Sequence, residues 1–93
     1  MNEQFFNNLN SINEALKAFS LVPSKIVNSE QGGIAYMFIT INAYADIECL
    51  FSGEILAIVK SDTRNDIWQI NVNYLSHNLQ SNKKFIKENK END

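Results

Sequence analysis

A chain of 93 residues, 44% apolar and 20% charged, has the composition of one globular domain, 1–93, rather than of a disordered or membrane-spanning segment. Its net charge of −3 is unevenly spread: no Lys or Arg lies between Lys25 and Lys60, while Glu30, Asp46, Glu48 and Glu54 do, which disfavours nucleic acid as a partner because its binders carry a basic stripe. A lone cysteine, Cys49, excludes an internal disulfide and a cysteine-based zinc site. With no signal pattern and no Asn-x-Ser/Thr acceptor, the expected setting is cytoplasmic, with no membrane contact.

Apolar residues at Phe5, Leu9, Ile12, Leu16 and Phe19 recur four and three apart, the stripe of an amphipathic helix over about residues 3–20. Ser11-Ile-Asn-Glu14 matches a capping box and offers a second helix start, but the stripe runs through it unbroken. Pro23 is the expected stop. An extended piece over residues 25–28 then leads to the turn Gln31-Gly-Gly33. Residues 34–41, β-branched and aromatic on both parities, read as a central strand, with Asn42 marking a bend or bulge after it.

Residues 43–59 read as a hairpin about a two-residue turn, Ser52-Gly53. Alternation then puts Ala45, Ile47, Cys49, Phe51, Leu56 and Ile58 on one face. Tyr44, Asp46, Glu48, Leu50, Ile55, Ala57 and Val59 share the other. A three-residue loop with a bulge would move the partner strand by one position, so alternation within each strand is firmer than pairing across them. Residues 62–66 form a polar loop, and residues 67–72 a short strand with Trp68, Ile70 and Val72 on one side. From about Asn73, Leu75, Leu79, Phe85 and Ile86 are spaced for a second helix capped by Asn71 or Asn73, with residues 88–93 a frayed tail. The fold class expected is α+β: helix, antiparallel meander of four to five strands, helix, in a two-layer sandwich with both helices on one sheet face.

Few residues carry a chemical signal. His77, the sole histidine, sits among polar residues of the second helix, and Cys49 falls on the core face, where thiols are inert; no catalytic pair is expected. Gln31-Gly-Gly33 is followed by a strand and lacks the lysine of a phosphate loop. Tyr36 and Phe38 have no basic neighbours and read as core rather than as a base-stacking platform.

Asp46 and Glu48 project from one strand face about 7 Å apart. A solvated face, partner recognition, a small-ligand or ion site and acid–base chemistry all remain open for them. Recognition gains from their company, an aromatic and several aliphatic side chains. The contact surface expected is Tyr44, Asp46, Glu48, Leu50, Ile55 and Val59, with no metal or cofactor and no enzymatic activity. The partner is another protein or a second copy of the chain in a homodimer; the alternative is a small-ligand or nucleotide-binding domain.

Gly32-Gly-Ile-Ala, Tyr44-Ala-Asp-Ile-Glu48 and Gly53-Glu-Ile-Leu-Ala57 together resemble a group of small bacterial proteins or domains in which a Gly-Gly strand precedes a Tyr-Ala-Asp-Ile-Glu strand and a Gly-Glu-Ile turn. The likeness covers about residues 23–72. It implies that Tyr44, Asp46, Glu48, Gly53 and Glu54 belong to a shared structural pattern, and it brings no activity with it. Small size and bacterial character make a regulator or inhibitor of a defence, toxin or mobile-element system one concrete form of the expected interaction protein.

Overall fold

The computed structural model describes residues 3–90, the side chains of 88–90 excepted. Helix α1 (Glu3–Ala18) is followed by five strands, β1 (Lys25–Asn28), β2 (Gly33–Ile39), β3 (Tyr44–Leu50), β4 (Ile55–Lys60) and β5 (Asn65–Ile70). A 3₁₀ turn over Val72–Tyr74 then leads into α2 (Leu75–Lys90). The strands form one antiparallel sheet in chain order, β1-β2-β3-β4-β5. This is the α+β meander expected. The tail expected to fray from residue 88 is helical through Lys90, and its last three residues lie outside the described ones.

Helix α1 is continuous through the capping-box motif, and Phe5, Ile12 and Leu16 of its stripe are buried. It ends well before Pro23. The Leu21 amide donates to the Leu16 carbonyl (2.9 Å) and the Ser20 amide to that of Lys17 (3.1 Å), with Ser20 at a φ of 55°. That is a Schellman cap with serine where glycine usually stands. Sequence reading overlooked it because the signal sought was glycine or proline.

Both helices pack on one face of the sheet. Ile12 and Leu16 of α1 and Leu75 and Leu79 of α2 enter one core with Tyr36 and Phe38 of β2, Ala45, Ile47 and Cys49 of β3, Ile55, Ala57 and Val59 of β4, and Ile70 of β5. Ile12, Ala45, Ile47, Cys49, Ala57 and Leu79 are wholly excluded from solvent. Polar groups knit this layer. Asn8 donates to the Gly53 carbonyl (2.8 Å), anchoring α1 to the β3–β4 turn. Trp68 Nε1 donates to Asn78 Oδ1 (3.1 Å), tying β5 to α2. Asn8, Asn78 and Asn82 are all buried, although the abundance of asparagine carries no such signal in the sequence.

The β3–β4 hairpin departs from expectation in one consequential way. Cys49 pairs with Ile55 and Leu50 hydrogen-bonds to Glu54, so Phe51, Ser52 and Gly53 form a three-residue loop, with Gly53 at a φ of 97°. This is the bulged alternative to the two-residue turn. It shifts β4 by one position, and with a period of two a one-residue slip exchanges its faces. Ile55 and Val59, expected beside the carboxylates, therefore lie in the helix-covered core. Leu56 and Ile58 take their places. Phe51 is not a core residue either: it sits in the loop, 43% exposed, with its ring edge against Phe5.

Candidate functional site on the open sheet face

The face opposite the helices is built by alternation. It carries Lys25 and Val27 of β1, Ala35, Met37 and Ile39 of β2, Tyr44, Asp46, Glu48 and Leu50 of β3, Leu56, Ile58 and Lys60 of β4, and Asn65, Ile67 and Gln69 of β5. Register sets the surroundings of the two acids. Asp46 stands between Met37 and Ile58 on its neighbouring strands, and Glu48 between Ala35 and Leu56. The β1–β2 loop completes the enclosure.

That loop has its own local logic. The Gly32 amide donates to the Ser29 carbonyl (3.1 Å) and the Gln31 amide to Ser29 Oγ (3.1 Å), a serine-stabilised turn. Ser29 Oγ in turn donates to Glu48 Oε1. Gly33 permits the close approach of β2 to β3: a Cβ there would lie 2.2 Å from the Cys49 carbonyl oxygen, and its φ of 147° disfavours any side chain. The result is a cleft of about 330 Å³ lined by Val27, Ala35, Met37, Tyr44 and Ile58 beside Asp46 and Glu48, with Asn28, Ser29, Glu30 and Gln31 at the loop side.

The acids are more deeply set than a solvated sheet face requires. Asp46 is 5% exposed and Glu48 8%. Asp46 Oδ1 has no hydrogen-bond partner. Burial, then the neighbouring Glu48 charge, then a hydrogen bond between the two carboxyls raise the Asp46 pKa from its ordinary value to about 7. At pH 7 the Asp46 carboxyl is thus about half protonated. No Lys, Arg or His is among the described residues lining the cleft.

Of the six expected contact residues, β3 brings Tyr44, Asp46 and Glu48 together on the cleft. Leu50 shares their face but is buried, 6% exposed, opposite Gly33. Ile55 and Val59 belong to the other side of the sheet. Sequence reading missed Ser29, Ala35, Met37 and Ile58. Ala35 and Met37 were legible only once β2 had a register, and Ile58 only once the loop length was known.

Elsewhere, Cys49 is fully buried, its Sγ 3.6 Å from the Phe5 carbonyl oxygen, and burial pushes its thiol up to about 11. His77 is exposed on α2. Among the described residues no group of three or more His, Cys, Asp or Glu converges to hold a metal, and no helix is long and apolar enough to cross a membrane. No family model matches the chain, and neither curated proteins nor solved structures include a significant match to it.

Proposed function

We propose that the protein is a small non-catalytic interaction module whose contact surface is the open sheet face around Asp46 and Glu48. One observation carries this reading: the helices leave that face uncovered, yet two carboxyls are sunk into it, ringed by apolar side chains. Val27, Ile39 and Ile67 on the same face are 37%, 47% and 59% exposed. A mixture of aliphatic groups around isolated polar ones is the composition of an interface. A regulator or inhibitor acting in a bacterial defence, toxin or mobile-element system is one form of this role, and self-association through the same face is another.

A small-ligand reading is favoured by the cleft volume of about 330 Å³, which falls within the range of about 300–1,000 Å³ usual for such sites. Its carboxyls are hostile to phosphate, so a nucleotide held by its phosphates is the least suited occupant.

Ile39→Asp and Ile67→Asp place a charge on the face at positions already open to water. Affinity capture from the native host and sedimentation at high micromolar concentration, each with wild type and the two variants, test the proposal. A specific captured protein, or a dimer, lost in both variants supports it. Identical captured sets together with identical sedimentation would refute it.

A further inference from the structure

The cleft has a chemistry of its own, apart from the face around it. Its acids are placed as receptors, with Asp46 95% buried and its Oδ1 without a partner. Glu48 Oε1 accepts from Ser29 Oγ. The charged and titratable groups on the same face are Tyr44 on β3, Glu30 on the β1–β2 loop, Lys25 on β1 opposite Met37 and Lys60 on β4 opposite Tyr44; neither lysine lines the cleft or forms a salt bridge with the acids among the described residues. Ionising both carboxyls in so enclosed a place is costly without a counter-charge. The walls that Met37, Ile58 and the Tyr44 ring provide suit an alkyl stem and a cation lying over an aromatic face.

We propose that the cleft seats a basic side chain, lysine or arginine, of a partner polypeptide, its cationic head between Asp46 and Glu48 and its stem against Met37 and Ile58. The proposal rests on reading the open face as a contact surface, and it names what that surface recognises. A polypeptide fits better than a free amine because the exposed Val27, Ile39 and Ile67 extend the apolar area beyond anything a lone cation would cover. The entering cation favours the ionised Asp46 carboxylate, so the roughly half proton that Asp46 holds at pH 7 is released to solvent.

The test is an amide-resolved NMR titration of the labelled protein with capped tripeptides, Gly-Lys-Gly and Gly-Arg-Gly. Their neutral counterparts carry norleucine and citrulline, and butylammonium and spermidine serve as free amines. A basic tripeptide is expected to shift the amides of Ala35, Asp46, Glu48 and Ile58. It should bind at least about ten-fold more tightly than its neutral counterpart, a difference of about 1.4 kcal/mol. Asp46→Asn, whose spectrum reports whether the fold is kept, should weaken it by a similar factor. Calorimetry in buffers of different ionisation enthalpy should register the release of about half a proton per site at pH 7.

Equal binding of the neutral peptides, or no shift at those amides up to tens of millimolar, overturns the proposal. Binding of the free amines without the peptides also overturns it, and reassigns the cleft to a small cation. If the cleft ignores every probe while Ile39→Asp and Ile67→Asp still abolish a captured partner, the cation assignment fails and the contact face stands. If the basic peptides bind but both variants keep every partner, the contact-face reading fails and the partner assignment falls with it.

Discussion

Asp46→Asn should make the protein more stable at pH 8, with the gain falling to about 1 kcal/mol by pH 4.5. A carboxyl that holds its proton more tightly in the folded chain than in the unfolded one favours folding at low pH. That contribution is whole below the unfolded value near 4 and is lost as pH rises through about 7. Each pKa unit corresponds to about 1.4 kcal/mol, so the interval from 3.8 to about 7 sets a ceiling of about 4 kcal/mol. Water reaching the cleft mouth screens part of this, leaving an expected difference of about 2–3 kcal/mol between variant and wild type at pH 8. Asparagine removes the titration, matches the shape, and can still donate to Glu48. Urea unfolding followed by Trp68 fluorescence at pH 4.5, 6, 7 and 8 measures the difference; with a slope of about 1 kcal/mol per molar for a chain of this size, the midpoint should move by about 2 M at pH 8. A gap between the two proteins that stays constant across pH, or a variant less stable at pH 8, would refute the reasoning, because it would mean that Asp46 is ionised at no cost in the folded state.

Gly33→Ala should destabilise the fold by about 2 kcal/mol or more, since its Cβ would meet the Cys49 carbonyl oxygen at 2.2 Å and the Leu50 Cα at 2.8 Å; thermal unfolding should show a fall of roughly 10 °C, and Gly32→Ala, which meets only the Phe51 ring at 3.6 Å, should cost less. Cys49, buried and with its thiol pushed up to about 11, should resist a thiol reagent in the native state and react at the rate of unfolding. Labelling much faster than unfolding would place it at the surface.

Element identity was legible in the sequence where periodicity was unambiguous. The four-and-three stripe of α1 outweighed the second start that its capping box offered, and Gln31-Gly-Gly33, followed by a strand and lacking a lysine, favoured a turn over a phosphate loop. Legibility failed at β4, where Ile55-Leu-Ala-Ile-Val59 is apolar at every position and no alternation selects a face. There the register depends on whether two or three residues close the preceding loop, and Phe51-Ser-Gly53 contains a glycine compatible with both. On β3, by contrast, Asp46 and Glu48 break the apolar run at alternate positions. Their shared face could be read directly, while their depth could not, because it comes from Ser29 and from the neighbours that register supplies. The buried Asn8, Asn78 and Asn82 were invisible for a different reason: each lies among many asparagines, and only the three-dimensional partner separates a structural amide from a solvated one.

The meander has a kinetic corollary. Each strand pairs with its neighbour in the chain across a turn of a few residues, so each closure costs little loop entropy and the sheet can form hairpin by hairpin. The sequence-distant steps are the docking of both helices onto β3 and against each other. The cleft draws only on β1 to β4 and the β1–β2 loop. Its geometry is thus determined by short-range closures, and loosening either helix should lower global stability well before it alters the shape of the surface on the far side of the sheet.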